Sequence, residues 1–318
     1  MPRTSKTRLG RRILVALRDP ARTPRAQLRK AARIARLTGA SIELFHAIGA
    51  TPAPGPDPVA VHANRALKRL ERQRCFSGLK VKSHMVWDYP PHEAVVRRVL
   101  ETRSDFVIAA SATHGLGQRL LLTNNDWELI RHCPVPLLLV KSTRDYVRPN
   151  IIAALDPFHV HAKPAALDHR LLESGAAMAG LLNGRLHAFH AYLPLVFSVI
   201  VPVDQGPLWL PREAEDAYAQ AVTRAFHRLA QSARIPEGRR HLATGDVAER
   251  LAATVRRIHA DIVVMGAISR SGLRRLFIGS TAERVLDLLR CDVLVIKPRG
   301  FKARVPRRRS PYTGPTLY

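Results

Sequence analysis

The chain repeats itself with a long period, and this repeat limits the folds open to it more than any other feature. The segment HEAVVRRVLETRSDFVIAASATHG, which begins at His92, aligns with AERLAATVRRIHADIVVMGAISRS, which begins at Ala248. Lys141 aligns with Lys297 at the same separation of 156 residues. A repeat of this length spans a whole domain, whereas solenoid repeats are about 20 to 45 residues long. The sequence therefore predicts two tandem copies of one domain.

The boundary between the copies lies in a charged segment, KSTRDYVRPN, that contains a proline and separates two apolar runs. The early parts, IELFHAI and LHAFHAY, align at a smaller separation, so the second copy has an insertion in its middle, over 193–211. We predict a basic extension at 1–9, domain 1 at 10–145, domain 2 at 146–300 and a basic disordered tail at 301–318.

Within each copy, short apolar runs alternate with amphipathic segments. RILVAL has the length of a buried strand, and apolar residues recur at helical spacing from Leu28 to Leu37 before Gly39 ends the helix. Strands that alternate with helices are typical of a parallel sheet covered on both faces. The sequence predicts an α/β fold in which each copy is a doubly wound, mainly parallel, five-stranded, Rossmann-like domain.

One loop of the second copy has the composition of a phosphate-binding turn. The strand ADIVVMG ends at Gly266, and after a loop Gly279 precedes two hydroxyl residues and the helix STAERVLDLLR. A helix start offers unpaired N–H donors that suit phosphate. The same residues also fit an ordinary strand-to-helix turn with Ser280 as N-cap and Glu283 three residues later. On spacing alone the ordinary turn is favoured, and both interpretations stay open.

The order VVMG, GSTAERVL, CDVLVIKP resembles the universal stress protein superfamily, and the two-copy layout is similar to its tandem E-type branch. ATP-binding members carry G-x2-G-x9-G-[ST] here, and this chain departs from that pattern only in having Ser269 in place of the second glycine. The resemblance implies an adenine nucleotide alpha hydrolase-like fold and an ATP site, with nucleotide-associated Mg²⁺, in domain 2 only. The residues that it assigns to that site are Asp156, Met265, Gly266, Ser269, Gly279, Ser280 and Thr281.

The first copy has lost this motif. Its acid is displaced by one position, since Arg18 precedes Asp19 where Leu155 precedes Asp156 in the second copy. The degenerate counterparts are Asp19, Ala110, Thr113, Thr123, Asn124 and Asn125. Asn124 or Asp126 still suits a helix cap. We therefore expect domain 1 to be the structural partner of domain 2, through pairing within one molecule, and homodimers of the chain remain open.

The charge of the chain is strongly positive, with 51 basic against 25 acidic residues and a net charge of +26. Such a surface attracts polyanions non-specifically. Arg307, Arg308 and Arg309 form the densest basic cluster, in the tail. Aromatic residues make up 6% of the chain, few for base stacking. An alternative function is therefore nucleic-acid association through the basic surface and tail, although a solvated arginine-rich surface is the simpler explanation.

Cysteine usage indicates a reducing compartment, and hydropathy indicates no membrane span. The three cysteines, Cys75, Cys133 and Cys291, form no CxxC pair, so we expect reduced, mostly buried thiols. His159 and His161 alternate, but no third ligand follows at a recognisable spacing, so no metal site is predicted. The chain has no run of about 18 apolar residues and no signal-peptide core. We expect a cytoplasmic location and no membrane partner.

No arrangement of nucleophile and base stands out in the sequence, since GxSxG, HExxH and Walker spacings are absent. His46 and His190 hold matching places in the two FHA segments and are read as core histidines. The resemblance implies a non-catalytic protein that supports survival under starvation, oxidative or DNA-damaging stress, with weak ATP hydrolysis still open. A further alternative is carriage of an apolar small molecule near the insertion at 193–211.

Overall fold

The computed structural model describes residues 10–49, 57–111, 123–158, 166–194, 212–267 and 280–306. The strands of the first half are β1 (Arg12–Leu17), β2 (Ser41–Ile48), β3 (Val81–Trp87), β4 (Phe106–Ala110) and β5 (Leu137–Val140). Its helices are α1 (Arg25–Thr38), α2 (Pro58–Glu71), α3 (Pro91–Thr102) and α4 (Asn124–His132). The strands of the second half are β6 (Asn150–Ala154), β7 (Arg185–Tyr192), β8 (Arg240–Thr244), β9 (Ile262–Gly266) and β10 (Asp292–Ile296). Its helices are α5 (Ala166–Leu182), α6 (Arg212–Ser232), α7 (Val247–Arg257) and α8 (Ser280–Leu288).

The described strands form one continuous ten-stranded sheet in the order β3-β2-β1-β4-β5-β10-β9-β6-β7-β8. Each half is an all-parallel set of five strands, and the halves join through β5 and β10, which pair antiparallel with Leu138 opposite Leu294. The predicted α/β fold with two doubly wound copies is confirmed. The predicted pairing of the copies within one molecule takes the form of this shared sheet.

The sheet is covered on both faces by helices from both halves. One apolar core lies under α1, α2, α5 and α6, and the other lies under α3, α4, α7 and α8. Successive strand residues alternate between the two cores, as Ile13 and Val15 belong to the first and Leu14 to the second. The central strands therefore read as continuous apolar runs, which is typical of parallel sheets buried on both sides.

A buried carboxylate joins the two halves. Asp292, at the start of β10, is fully buried and accepts a hydrogen bond from Lys30 Nζ of α1 at 2.5 Å. It also accepts a hydrogen bond from the Tyr146 hydroxyl. The backbone amides of Lys141 and Ser142 donate to it as well, at 2.9 and 2.8 Å. A buried charge is tolerated when its lone pairs are filled in this way. The segment between the copies is thus held in place by the second half.

Two lysines cap helices of the opposite half. Lys141 follows β5 and donates to the carbonyl of Leu286 near the end of α8, while Lys297 follows β10 and donates to the carbonyl of Arg131, near the end of α4, at 2.9 Å. Cations suit helix C-termini because the last carbonyls are unpaired and partially negative. Both side chains are buried, and burial lowers the pKa of each to about 8.

The C-terminal segment returns to the first half. The Phe301 ring centroid lies 4.6 Å from Lys297 Nζ, and Val305 is buried. The carbonyl of Pro306 accepts a hydrogen bond from Arg97 Nη1 at 3.1 Å. Residues 301–306 are therefore packed, which corrects the prediction of disorder from Phe301 onward for this part. Arg97 supplies the contact because it is held between Asp88 and Glu93. The rest of the tail, with its three arginines, lies outside the described residues.

Candidate functional site

Each half has a switch point, where the strand order reverses and a crevice opens at the carboxyl ends of two neighbouring strands. The switch lies between β1 and β4 in the first half and between β6 and β9 in the second. Helices leave these two strands to opposite faces of the sheet, so ligands of open α/β sheets collect there. In both halves the next helix, α4 or α8, starts beside this crevice.

In the second half the predicted nucleotide residues lie along this edge. Met265 and Gly266 end β9, Asp156 is the second residue after β6, and Thr281 is the second residue of α8. Helix α8 begins at Ser280, and because the preceding residue lies outside the described part of the chain, the assignment of Ser280 as N-cap stays a prediction. Two more of the predicted residues, Ser269 and Gly279, lie outside the described part of the chain.

The matching histidines fix the alignment of the two switch points. His46 Nδ1 bonds the carbonyl oxygen of Leu17 at 3.0 Å, and His190 Nδ1 bonds that of Leu155 at 2.9 Å. Burial lowers the pKa of His46, which is consistent with a neutral ring inside the fold. Because Leu17 and Leu155 are equivalent, the next residues are equivalent too. Arg18 therefore takes the place that Asp156 takes in the second half.

In the first half Arg18 spans the crevice to the start of α4. Its Nη2 donates to both carboxylate oxygens of Asp126, at 3.0 and 3.1 Å, and to Thr123 Oγ1 at 3.1 Å. Thr123 and Asp126 form a capping box, in which the Asp126 side chain accepts the Thr123 amide at 3.0 Å. Thr123 is the N-cap, rather than Asn124. The helix start here is already occupied by a carboxylate from its own chain.

Beside this ion pair lies a cavity of about 650 Å³. Of the predicted first-half residues, Asp19, Ala110, Thr123 and Asn125 line it. Asn124 is exposed, and Thr113 lies outside the described residues. Its apolar walls come from core side chains: Leu17, Phe45, Ala47, Val95 and Leu129. The hydroxyl of Ser111 also lines the cavity and is buried without a hydrogen-bond partner among the described residues.

The two switch points differ in charge. Where the first half has Arg18 after its strand and Asp126 in the first turn of its helix, the second half has Asp156 and Ala282. A carboxylate in the first turn neutralises the partial positive charge of a helix N-terminus. The helix start of the second half has no acid at this position, and the acid in its first turn is the next residue, Glu283.

An aromatic cluster, which the sequence analysis missed, stands beside Asp156. Tyr218 of α6 contacts Phe158 and Tyr192, with ring centroids 6.1 and 5.9 Å apart. Burial, Tyr192 and Asp156 together raise the pKa of Tyr218. These rings come from three separate segments of the chain, so no local pattern could have joined them. Flat rings at this edge are suited to stacking against a planar base.

Neither a membrane span nor a metal cluster emerges from the described residues. No helix there is long and apolar enough to cross a membrane. No group of three or more His, Cys, Asp or Glu side chains there is arranged to hold a metal ion. The histidines His159 and His161 lie outside this part of the chain. Cys133 and Cys291 are buried free thiols, and Cys75 is a partly exposed one.

Comparison with known proteins gives one consistent family. The model of the universal stress protein family matches residues 10–141 and 152–297. Universal stress protein E of Escherichia coli K12 is 29% identical over 236 residues, covering 72% of each chain. Its counterpart in Photorhabdus laumondii is 25% identical over 309 residues, covering 92% of this chain and 96% of the relative.

Solved structures support the fold. A protein of unknown function from Pseudomonas aeruginosa PAO1 superposes with a TM-score of 0.70 at 24% identity, covering 91% of this chain and 92% of its own. A universal stress protein from Archaeoglobus fulgidus superposes with a TM-score of 0.66 at 16% identity, covering 90% and 98%. The similarity in both cases extends over both halves, so the tandem arrangement itself is shared.

Proposed function

The chain belongs to the universal stress protein family, as a tandem of two family domains, and we propose that its second half binds an adenine nucleotide without turning it over. The observation behind this proposal is the difference in charge between the two switch points. The first half fills its helix start with Asp126, whereas the second half has Ala282 at that position. The acid in the first turn of α8, Glu283, is one residue further along and lies 3.7 Å from Arg131, so we propose that this helix start still accepts phosphate.

The remaining residues fit the parts of a nucleotide. Phosphate oxygens would accept hydrogen bonds from the first backbone amides of α8, with the Thr281 side chain beside them. Asp156 would accept hydroxyl hydrogens of a ribose, and the nearby Tyr218 and Phe158 offer planar faces for a base. Mg²⁺, when present, would arrive with the nucleotide and neutralise its phosphates. Gly266, Ser269, Gly279 and Ser280 complete the proposed site.

We further propose a cytoplasmic role in stress survival, exerted by binding rather than by chemistry. The titratable groups placed here at the switch points serve structural purposes: Asp126 is paired with Arg18, and His46 and His190 hold backbone carbonyls. General acid or base work needs a group within hydrogen-bond reach of the proton it moves, with a pKa near the operating pH. Each histidine uses Nδ1 to hold a backbone carbonyl, and both carboxylate oxygens of Asp126 accept hydrogen bonds from Arg18.

The proposal is tested by copying the first-half residue into the second half. Calorimetric titration of ATP into the wild-type protein, purified in high salt, should give one site per chain. Ala282→Asp should weaken binding at least tenfold, because a carboxylate enters the first turn of α8 next to the phosphates. Ala282→Asn has nearly the same shape without the charge and should retain most of the affinity.

Other results would contradict the proposal. If Ala282→Asp and Ala282→Asn bind ATP equally, the start of α8 does not hold the phosphates. If the wild-type protein takes up no nucleotide, the loop is an ordinary strand-to-helix turn. Gly279→Asp provides a second disruption, and Asp19→Ala in the first half is the matched control that should leave ATP binding unchanged.

The cavity of the first half supports a second candidate function, the binding of an uncharged small molecule. Its ion pair leaves no net charge for an anion to meet, and its walls are largely apolar. The unpartnered Ser111 hydroxyl offers one hydrogen bond. Mass spectrometry of molecules released on denaturation tests this directly, since the Ala282→Asp variant should retain such a ligand while it loses nucleotide.

A further inference from the structure

Helix α1 carries a stripe of exposed arginines. Arg25, Arg29, Arg33 and Arg36 follow one another at intervals of four, four and three residues, which places them on one side of the helix, and all four are exposed. The opposite side packs into the apolar core. Successive arginines are therefore about 6 Å apart along the axis. Helix α1 contains no acidic residue to balance them.

A second basic row runs beside the first. Helix α2 and the turn after it form a shallow groove of about 470 Å³, lined by Arg65, Lys68, Arg69, Arg72, Gln73 and Arg74. Arg36 of the first row donates to the carbonyl of Cys75 in that turn at 3.0 Å, so the two rows adjoin. We call this surface, made of the four arginines of α1 and the five cations of α2 and its turn, the basic face.

Few acids neutralise the basic face. Arg29 pairs with Asp145 at 2.9 Å and Lys68 with Glu71 at 3.0 Å. Among the described residues no carboxylate lies within 4 Å of the other arginines of the face, which are Arg25, Arg33, Arg36, Arg65, Arg69, Arg72 and Arg74. On the opposite layer, by contrast, Arg98 pairs with Glu43 and Arg284 with Asp246. Unpaired like charges repel one another, which works against the folded state.

The internal repeat shows that the fold does not require these arginines. The left-handed residue after α1, Gly39, matches Asn183 after α5, so residues of the two helices correspond at a separation of 144. The exposed positions of the α1 stripe then correspond to His169, Glu173, Ala177 and Gly180 of α5. The same helix on the same face of the same sheet thus has no arginine stripe in the second half.

We propose that the basic face binds the sugar–phosphate backbone of a nucleic-acid duplex. Arginine matches phosphate geometry and stays charged at any physiological pH. Two adjoining rows of cations on an exposed surface suit the closely spaced phosphates of a duplex. Neither α1 nor α2 contains Phe, Tyr or Trp, so the face has no rings on which the bases of a single strand would stack. This inference is independent of the nucleotide site.

The test is the salt dependence of binding to a labelled 20-base-pair duplex, measured by fluorescence anisotropy with full-length protein purified in high salt. The variant Arg33→Gln, Arg65→Gln, Arg69→Gln, Arg72→Gln should lose at least tenfold in affinity at 150 mM salt. The slope of log affinity against log salt should become shallower by about three to four, since each phosphate contact contributes roughly 0.9.

A matched control removes the same charge elsewhere, with Arg228→Gln, Arg250→Gln, Arg256→Gln and Arg290→Gln, all exposed. This control should keep the wild-type slope. Equal losses in the two variants would show a bulk charge effect and overturn the proposal. Tighter binding to a single strand, or binding to anionic vesicles but not to the duplex, would also overturn it. The tail is tested by removal of 307–318. If this removal abolishes duplex binding, the tail and not the basic face binds the duplex, and the proposal is overturned. ATP titration of the face variant checks that the fold and the other site are intact.

Discussion

At the scale of single residues, one exchange of charge separates the two halves. Arg18 and Asp126 lie 108 positions apart and meet only because β1 ends, and α4 begins, at the same crevice. Their pairing places a carboxylate at the first-half helix start, and we expect it to exclude anions there. The side chain of Asp126 is almost fully buried, so it shapes the field there more than an exposed acid would.

We expect Asp126→Asn to open the first half to anions. Removal of this carboxylate frees Arg18 and the amides of α4. Inorganic pyrophosphate should therefore bind at one additional site, in the first half, that the wild-type protein lacks. The loss of this ion pair, in which only Asp126 is buried, should also lower stability by about 1–3 kcal/mol. Calorimetry and thermal unfolding measure the two effects. Glu128→Gln, on the same helix, is the control, and unchanged anion binding in Asp126→Asn would contradict the interpretation.

The sequence could supply half of this result. Alignment of the two copies shows that the acid found at Asp156 in the second half is displaced by one position, to Asp19, in the first half. It also shows that the first half lacks the glycines of the motif. The partner of Arg18 is not visible, because nothing in the segment around residue 18 points to residue 126. The aromatic neighbours of Asp156 were missed for the same reason, since Tyr218 lies on a helix that follows the insertion.

At the scale of elements, the reciprocal lysines couple helices to strands of the other half. Burial lowers the pKa of both Lys141 and Lys297 to about 8, whereas in the unfolded chain each keeps its proton up to about pH 10.4. Between these values the unfolded state binds more protons than the folded state. Stability therefore rises with pH across this window, and below pH 8 the cost of burying the charge is present in full.

We expect Lys297→Met to remove part of that rise. Relative to the variant, the parent protein should gain up to roughly 3 kcal/mol between pH 8 and pH 10, the free energy that corresponds to such a pKa shift. Urea unfolding at several pH values measures the difference. Lys302→Met, a few residues along the same segment, is the control. Parallel curves for parent and Lys297→Met would show that the lysine is not desolvated as the structure implies.

Helices and strands were the part of the fold that the sequence predicted best. The apolar spacing from Leu28 to Leu37 and the stop at Gly39 predicted α1, which runs from Arg25 to Thr38. The match of Lys141 with Lys297 was also visible, but its meaning was not. Each lysine acts on a helix that lies about 150 residues away or more, and periodicity carries no information about such contacts.

At the scale of the whole molecule, Asp292 is the point at which the halves depend on each other. Lys30 comes from α1, Tyr146 from the connecting segment and Asp292 from the last strand, so this contact joins the start, the middle and the end of the chain. A buried ion pair of this kind adds little when compared with apolar packing, but loss of one partner leaves the other charge unpaired.

We expect Lys30→Met and Asp292→Asn each to lower the free energy of unfolding by about 3–5 kcal/mol, and the double variant to lose clearly less than the sum. Urea unfolding of the four proteins gives the coupling. Lys82→Met, which removes an exposed contact to Glu43 at 3.7 Å, should change stability by less than about 1 kcal/mol. Additive losses in the double variant would mean that the two residues act separately.

The antiparallel join of β5 and β10 has a consequence for synthesis on the ribosome. Strand β5 ends at Val140 and its partner does not begin until Asp292, so about 150 further residues must be added before the two can pair. At about 5–20 residues per second, that delay is on the order of ten to thirty seconds. During this interval the first half has an open apolar edge, Lys30 still lacks Asp292, and Lys141 still lacks the carbonyl of Leu286. The edge of the first half is therefore closed only after nearly the whole second half has been made, and until then it is a strand edge open to pairing with other chains.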